Sequence, residues 1–165
     1  MTFNKSILSL ILLGACLSPG ISLKTDKTMI DQAKGKDVVE AVAYKIMKSG
    51  IFPDDHGLLQ RMAFVETLFG EEPDTFTAKK NIWFMSSAGV DVTKNAILNP
   101  LYTKIKQQFG IEWSQIVFAN LSKPLIAGIA VSLYLSLHQP VPLYLEDQAK
   151  YYKRFWDPEM TEQKR

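Results

Sequence analysis

Cysteine is almost missing from this chain: its 165 residues include one, Cys16, and only two histidines, His56 and His138. A single thiol closes no internal disulfide, and so few imidazoles and thiolates argue against a zinc site. Charge of one sign is scarce as well. Nineteen Lys and Arg against seventeen Asp and Glu give a formal +2, far from the concentrated positive charge needed to grip a nucleic-acid backbone. Eight Pro and nine Gly follow no period, which argues against collagen, solenoid repeats and long disordered tails. What is present is 47% hydrophobic and 11% aromatic content, enough to bury one core.

The N-terminus reads as an export signal. Lys5 precedes the apolar stretch 6–17, and Ser18-Pro19-Gly20-Ile21-Ser22 then breaks it with small residues placed for a cut before Leu23. The stretch falls short of the roughly 20 residues a membrane helix requires, so no stable membrane span is expected there. The alternative is a lipoprotein anchored at Cys16, after Leu13-Gly14-Ala15. The reading is therefore signal peptide 1–22, flexible lead-in 23–35, a helical domain over 36–157 and a tail 158–165. With the leader removed, no cysteine is left, which also excludes thiolate catalysis.

Helical periodicity dominates the rest. Val38, Val39, Val42, Ala43, Ile46 and Met47 recur at three- and four-residue spacing from Lys36 until Ser49-Gly50 stops them. Pro53-Asp54-Asp55 is a start signal for a second helix with Leu58, Leu59, Met62, Ala63, Val65 and Phe69 on its apolar face. From Glu71 to Asn99 the pattern is irregular and predicts a long loop, in which Ile82-Trp83-Phe84-Met85 forms either a short strand or a buried turn. Pro100 opens a helix closed by Gly110, and Trp113–Phe118 is a short helix. Leu125–Leu137 is apolar nearly all round, too short to span a bilayer, and is expected to be the central buried helix. Leu145–Trp156 is a last amphipathic helix with Ala149, Tyr152 and Trp156 inward. The fold class expected is all-α, or α with a minimal β element.

Glu66 follows Ala63 by three residues, Met62 by four and Leu59 by seven, so it shares the stripe that faces the core. Burial raises a carboxyl pKa and can keep the group protonated near neutral pH, ready to donate to a leaving oxygen. Glycoside hydrolysis needs that donation. The plain alternative places Glu66 at the stripe's edge, wet or paired with Arg61 or a lysine.

The segment Ile51-Phe52-Pro53-Asp54-Asp55-His56-Gly57-Leu58-Leu59-Gln60-Arg61-Met62-Ala63-Phe64-Val65-Glu66-Thr67 resembles the opening of small secreted animal proteins with a lysozyme-like domain, related in fold to goose-type lysozymes and lytic transglycosylases. The resemblance continues through Phe109-Gly110-Ile111-Glu112-Trp113, Leu121-Ser122-Lys123-Pro124-Leu125 and 142–152, and covers most of 45–156. It implies a helical lysozyme-like core, Glu66 as general acid toward a β-1,4 linkage of peptidoglycan-like glycan, and no cofactor. It also implies a cleft-lining Gly-x-Trp-Gln-Val segment at 81–85. Trp83 is kept there, but Asn81 replaces the glycine, Phe84 the glutamine, and Ser86 the acidic residue expected next. Phe84 offers no side-chain hydrogen bond, and Ser86 no charge to steady a developing cation.

Asp91 either replaces the missing carboxylate or is a solvated loop charge. Trp83 and Phe84 either stack on sugar faces as substrate-binding residues or plug the core. His56 reads as a cap or surface residue, and Tyr144, Tyr151, Tyr152, Phe155 and Trp156 as the packing side of the last helix. Lys79-Lys80 and Lys153-Arg154 are solvated pairs that can also attract anionic polymers. The two functional readings are a secreted, monomeric, weak lysozyme-like hydrolase of cell-wall polysaccharide, and a non-catalytic extracellular protein that binds glycan, matrix or protein.

Overall fold

The computed structural model describes residues 25–156, so both the export signal and the tail 158–165 lie outside the described residues. The fold is all-α. Its helices are α1 (Lys36–Ser49), α2 (Leu58–Thr67), α3 (Ser87–Val92), α4 (Asn99–Phe109), α5 (Pro124–Ser136) and α6 (Leu145–Phe155), with 3-10 turns at Ala96–Leu98, Trp113–Gln115 and Phe118–Ser122. No strand occurs among the described residues, and Ile82–Met85 is a turn buried except at Phe84.

The apolar helix α5 is the centre, with Pro124–Leu133 and Leu135 all buried. Helices α1, α2 and α3 pack around it. The approach of α1 is set by Gly128, where a Cβ would run into Val42 Cγ1 and stand 3.0 Å from Ile46 Cδ1. Val42 is stiff at χ1 and cannot swing aside cheaply. Gly128→Ala is therefore expected to destabilise by about 1–2 kcal/mol despite alanine's better helix propensity, read as a lower denaturant midpoint. An unchanged or higher midpoint would show that the two helices part freely.

Two helix readings are corrected, and residues 25–35 are bonded to neighbouring elements. Gln32 N–H donates to Ser122 O (2.8 Å), Gly35 N–H to Phe69 O (2.8 Å), and Leu125 N–H to Thr28 O (2.8 Å). Backbone bonds to neighbouring elements order this polar stretch without an apolar face of its own. Helix α2 ends at Thr67, before Phe69, because Leu68 and Phe69 take left-handed φ of 49° and 61° while their N–H groups still reach Phe64 O and Ala63 O. In α6 the buried side chains are Gln148 and Tyr151, followed by Trp156 at the cap; Ala149 is exposed and Tyr152 half-buried. The helix leans on the end of α5 through Tyr151 O–H to Leu135 O (3.4 Å) and Tyr134 O–H to Phe155 O (3.1 Å), which rotates Ala149 outward.

Asp26 clips the lead-in to α1: its carboxylate accepts from Lys45 Nζ (2.5 Å) and from Thr28. Those bonds, from Lys45 first, hold its pKa down at about 2. A depressed folded value stabilises the fold above the unfolded value of 3.8, and the contribution fades as pH falls through about 2. The side chain is mostly exposed, so screening keeps the gain under about 1 kcal/mol. Asp26→Asn is expected to lower stability slightly at pH 7 and much less at pH 2 in chemical unfolding; an equal deficit at both pH values contradicts this.

Candidate functional site

Helix α2 carries the residue that matters most. Its start is capped by Asp55, whose carboxylate accepts from Gly57 N–H (3.1 Å) and Leu59 N–H (3.4 Å). Leu58, Leu59, Met62 and Ala63 turn inward, and the same stripe carries Glu66 into the protein, where it is 7% exposed. The carboxylate does not face bulk water. Its Oε1 accepts from Tyr152 O–H at 2.6 Å and from Trp156 Nε1–H at 2.8 Å. Both donors belong to the end of α6, so this carboxylate joins α2 to α6.

The backbone of Glu66 is also engaged, its carbonyl accepting from Lys79 Nζ at 2.6 Å. Lys79 in turn pairs with Glu72 and lies 6.0 Å from the centre of the Phe84 ring. Glu66, Lys79, Glu72 and Phe84 therefore share one neighbourhood. Beyond Trp156 an aromatic cluster continues: Tyr134 meets Trp156 edge-on at 5.5 Å, and His138 stacks on Phe155 at 4.5 Å. Burial holds the His138 pKa below its ordinary value and pushes Tyr151 up to about 12, helped by Tyr134.

The turn at 81–85 is a closed structural unit. Asn81 is buried, its Oδ1 accepting from Trp83 N–H (3.2 Å) and Met85 N–H (3.0 Å) while Nδ2 donates to Met85 O (2.9 Å). Trp83 is fully buried and donates from Nε1 to Leu59 O at 2.8 Å, which makes it a core wedge beneath α2 with no face for a sugar. Phe84, at φ 54°, is the one ring of this turn that reaches solvent. Ser86 caps α3 by accepting from Gly89 N–H (3.1 Å). Asp91 stands out in solvent, 3.7 Å from Lys94, as a solvated helix charge. The structure thus links Phe84 to the Glu66 backbone only through Lys79, and leaves Trp83 beneath the surface and Asp91 in water.

Between α2 and α6 lies a groove of about 190 Å³. Leu58, Met62, Val65, Leu145 and Ala149 supply its apolar wall. Its three polar side chains are already bonded. Arg61 donates to Gln148 Oε1 (Nε 3.0 Å) and to His56 O, Gln148 Nε2 donates to Pro142 O (2.8 Å), and Tyr152 holds Glu66. Tyr152 is thus both groove wall and partner of the buried carboxylate. Val65 and Leu145 stand at the rim, 63% and 64% exposed.

Sequence reasoning placed Tyr152 and Trp156 as packing residues and Lys79 as a solvated charge; their contacts with Glu66 are long-range and carry no local signal. Among the described residues no three His, Cys, Asp or Glu side chains converge as a metal site, and no helix is long and apolar enough to cross a membrane. No protein-family model, curated protein or solved structure matches the chain.

If Glu66 is a clamp, removing its acceptor strands two buried donors, a loss of about 2–4 kcal/mol. Glu66→Leu is expected to lower stability by that amount and Glu66→Gln, which keeps an oxygen at the same place, by clearly less. Equal losses in thermal unfolding would contradict the hydrogen-bonded role.

Proposed function

We propose that this is a secreted protein with a lysozyme-like helical fold that recognises its target without cleaving it, Glu66 serving as an internal clamp. The observation that carries this reading is the pair of hydrogen bonds that Oε1 receives from Tyr152 and Trp156. Both bonds commit this oxygen to the fold itself. A general acid must instead hold a proton within about 2.6–3.2 Å of the leaving oxygen.

The groove supports the same reading. A sugar ring presents hydroxyls that need partners, and the groove's polar side chains already bond within the fold, Arg61 to Gln148, Gln148 to Pro142 O and Tyr152 to Glu66. Its free surface is aliphatic, so the target class it suits is a protein that presents an apolar side-chain cluster. Burial of that cluster would contribute about 25 cal/mol per Å².

The second reading, a weak glycoside hydrolase acting on peptidoglycan-like glycan with Glu66 as general acid, is favoured by one observation: the carboxylate is buried directly behind Tyr152, at the groove wall. Clearing of a bacterial-wall suspension separates the two. The parent chain and its Glu66→Gln variant are expected to leave turbidity unchanged, with neither retained on insoluble peptidoglycan or chitin. Clearing by the parent that Glu66→Gln loses would establish the hydrolase, and retention on either polymer would overturn the apolar-target reading.

A further inference from the structure

We propose that Asn120 carries an N-linked oligosaccharide. Asn120-Leu121-Ser122 is an Asn-x-Ser acceptor triplet; the other in the chain, Asn4-Lys5-Ser6, lies within the expected leader. The inference goes beyond the proposed function and rests on the export reading of residues 1–22 alone.

The geometry around Asn120 suits the modification. Leu121 anchors the 3-10 turn Phe118–Ser122 by burying its side chain, while Val117 and Ala119 before Asn120 face solvent and Asn120 itself is half-buried. The Asn120 amide is oriented by its oxygen: Oδ1 accepts from Val117 N–H at 2.8 Å, and Asn120 N–H donates back to Val117 O at 2.9 Å. Among the described residues, Nδ2 has no acceptor of its own. A sugar on Nδ2 leaves the oxygen's bond in place, so the fold tolerates the group without rearrangement.

The donor required is an oligosaccharide linked through pyrophosphate to a lipid carrier, in the lumen that the chain enters during synthesis. Asn120 Nδ2 attacks the anomeric carbon, the carbon–nitrogen bond forms as the carbon–oxygen bond to pyrophosphate breaks, Nδ2 gives up one proton, and the lipid pyrophosphate leaves. Ser122 Oγ is bonded to Asp31 (2.8 Å) and Ala119 O (3.1 Å) in the folded protein, but the transfer precedes folding, when that hydroxyl is free to assist.

The test is to express the full chain in animal cells and to weigh the secreted protein before and after an amidase that removes N-linked glycans. One oligosaccharide mass is expected to disappear, leaving Asn120 as aspartate in the peptide map. Asn120→Asp, which keeps the acceptor for Val117 N–H, and Ser122→Ala are each expected to be secreted without the added mass, and Ser122→Thr to keep it. A secreted parent with bare Asn120 overturns the proposal, as does a chain that stays in the cytosol. Since mass is the readout, wall clearing and polymer binding can fail or succeed independently of it.

Discussion

A carboxylate withdrawn from water costs several kcal/mol unless donors replace its hydration. Glu66 meets that demand with a phenol and an indole from a helix 86 and 90 residues further along the chain. Much of the region's arrangement depends on this exchange. To put both donors on one oxygen, α6 must cross the end of α2 at a fixed height and rotation. Tyr151, Phe155 and Trp156 are then committed to the end of α5, and the Leu145–Ala149 side of the helix is left above the groove.

The turn below α2 is tied into the same arrangement. The turn at 81–85 sits beneath α2 and holds Trp83 against Leu59, so it supports the helix from below. Asn81 closes that turn with three hydrogen bonds where a glycine would supply only backbone freedom. Phe84 contributes a ring that reaches solvent.

Much of the architecture was legible in the sequence, for reasons that can be assigned to particular residues. Val38 to Ile46 gave α1 through its period, Pro124 and the unbroken apolar run gave α5, and the position of Glu66 beside Met62 and Ala63 gave its inward direction. Less was legible at the edges. Helix α2 stops early because Leu68 and Phe69 adopt left-handed φ, for which neither residue type has a preference. The order of residues 25–35 comes from hydrogen bonds to Ser122, Phe69 and Leu125, none of them a sequence neighbour. The inward face of α6 was misread at Ala149, since Arg61 and the carbonyls of His56 and Pro142 recruit Gln148 into its place.

The sequence alone determined the helical class and the central helix and placed a glutamate on the core-facing stripe, because period and hydropathy act between residues three and four apart. Only the tertiary structure decided what that glutamate faces. Donors for a buried carboxylate come from whatever the fold brings beside it, and here it brought Tyr152 and Trp156, with Lys79 at the backbone, while keeping Trp83 below the surface and Asp91 in the solvent.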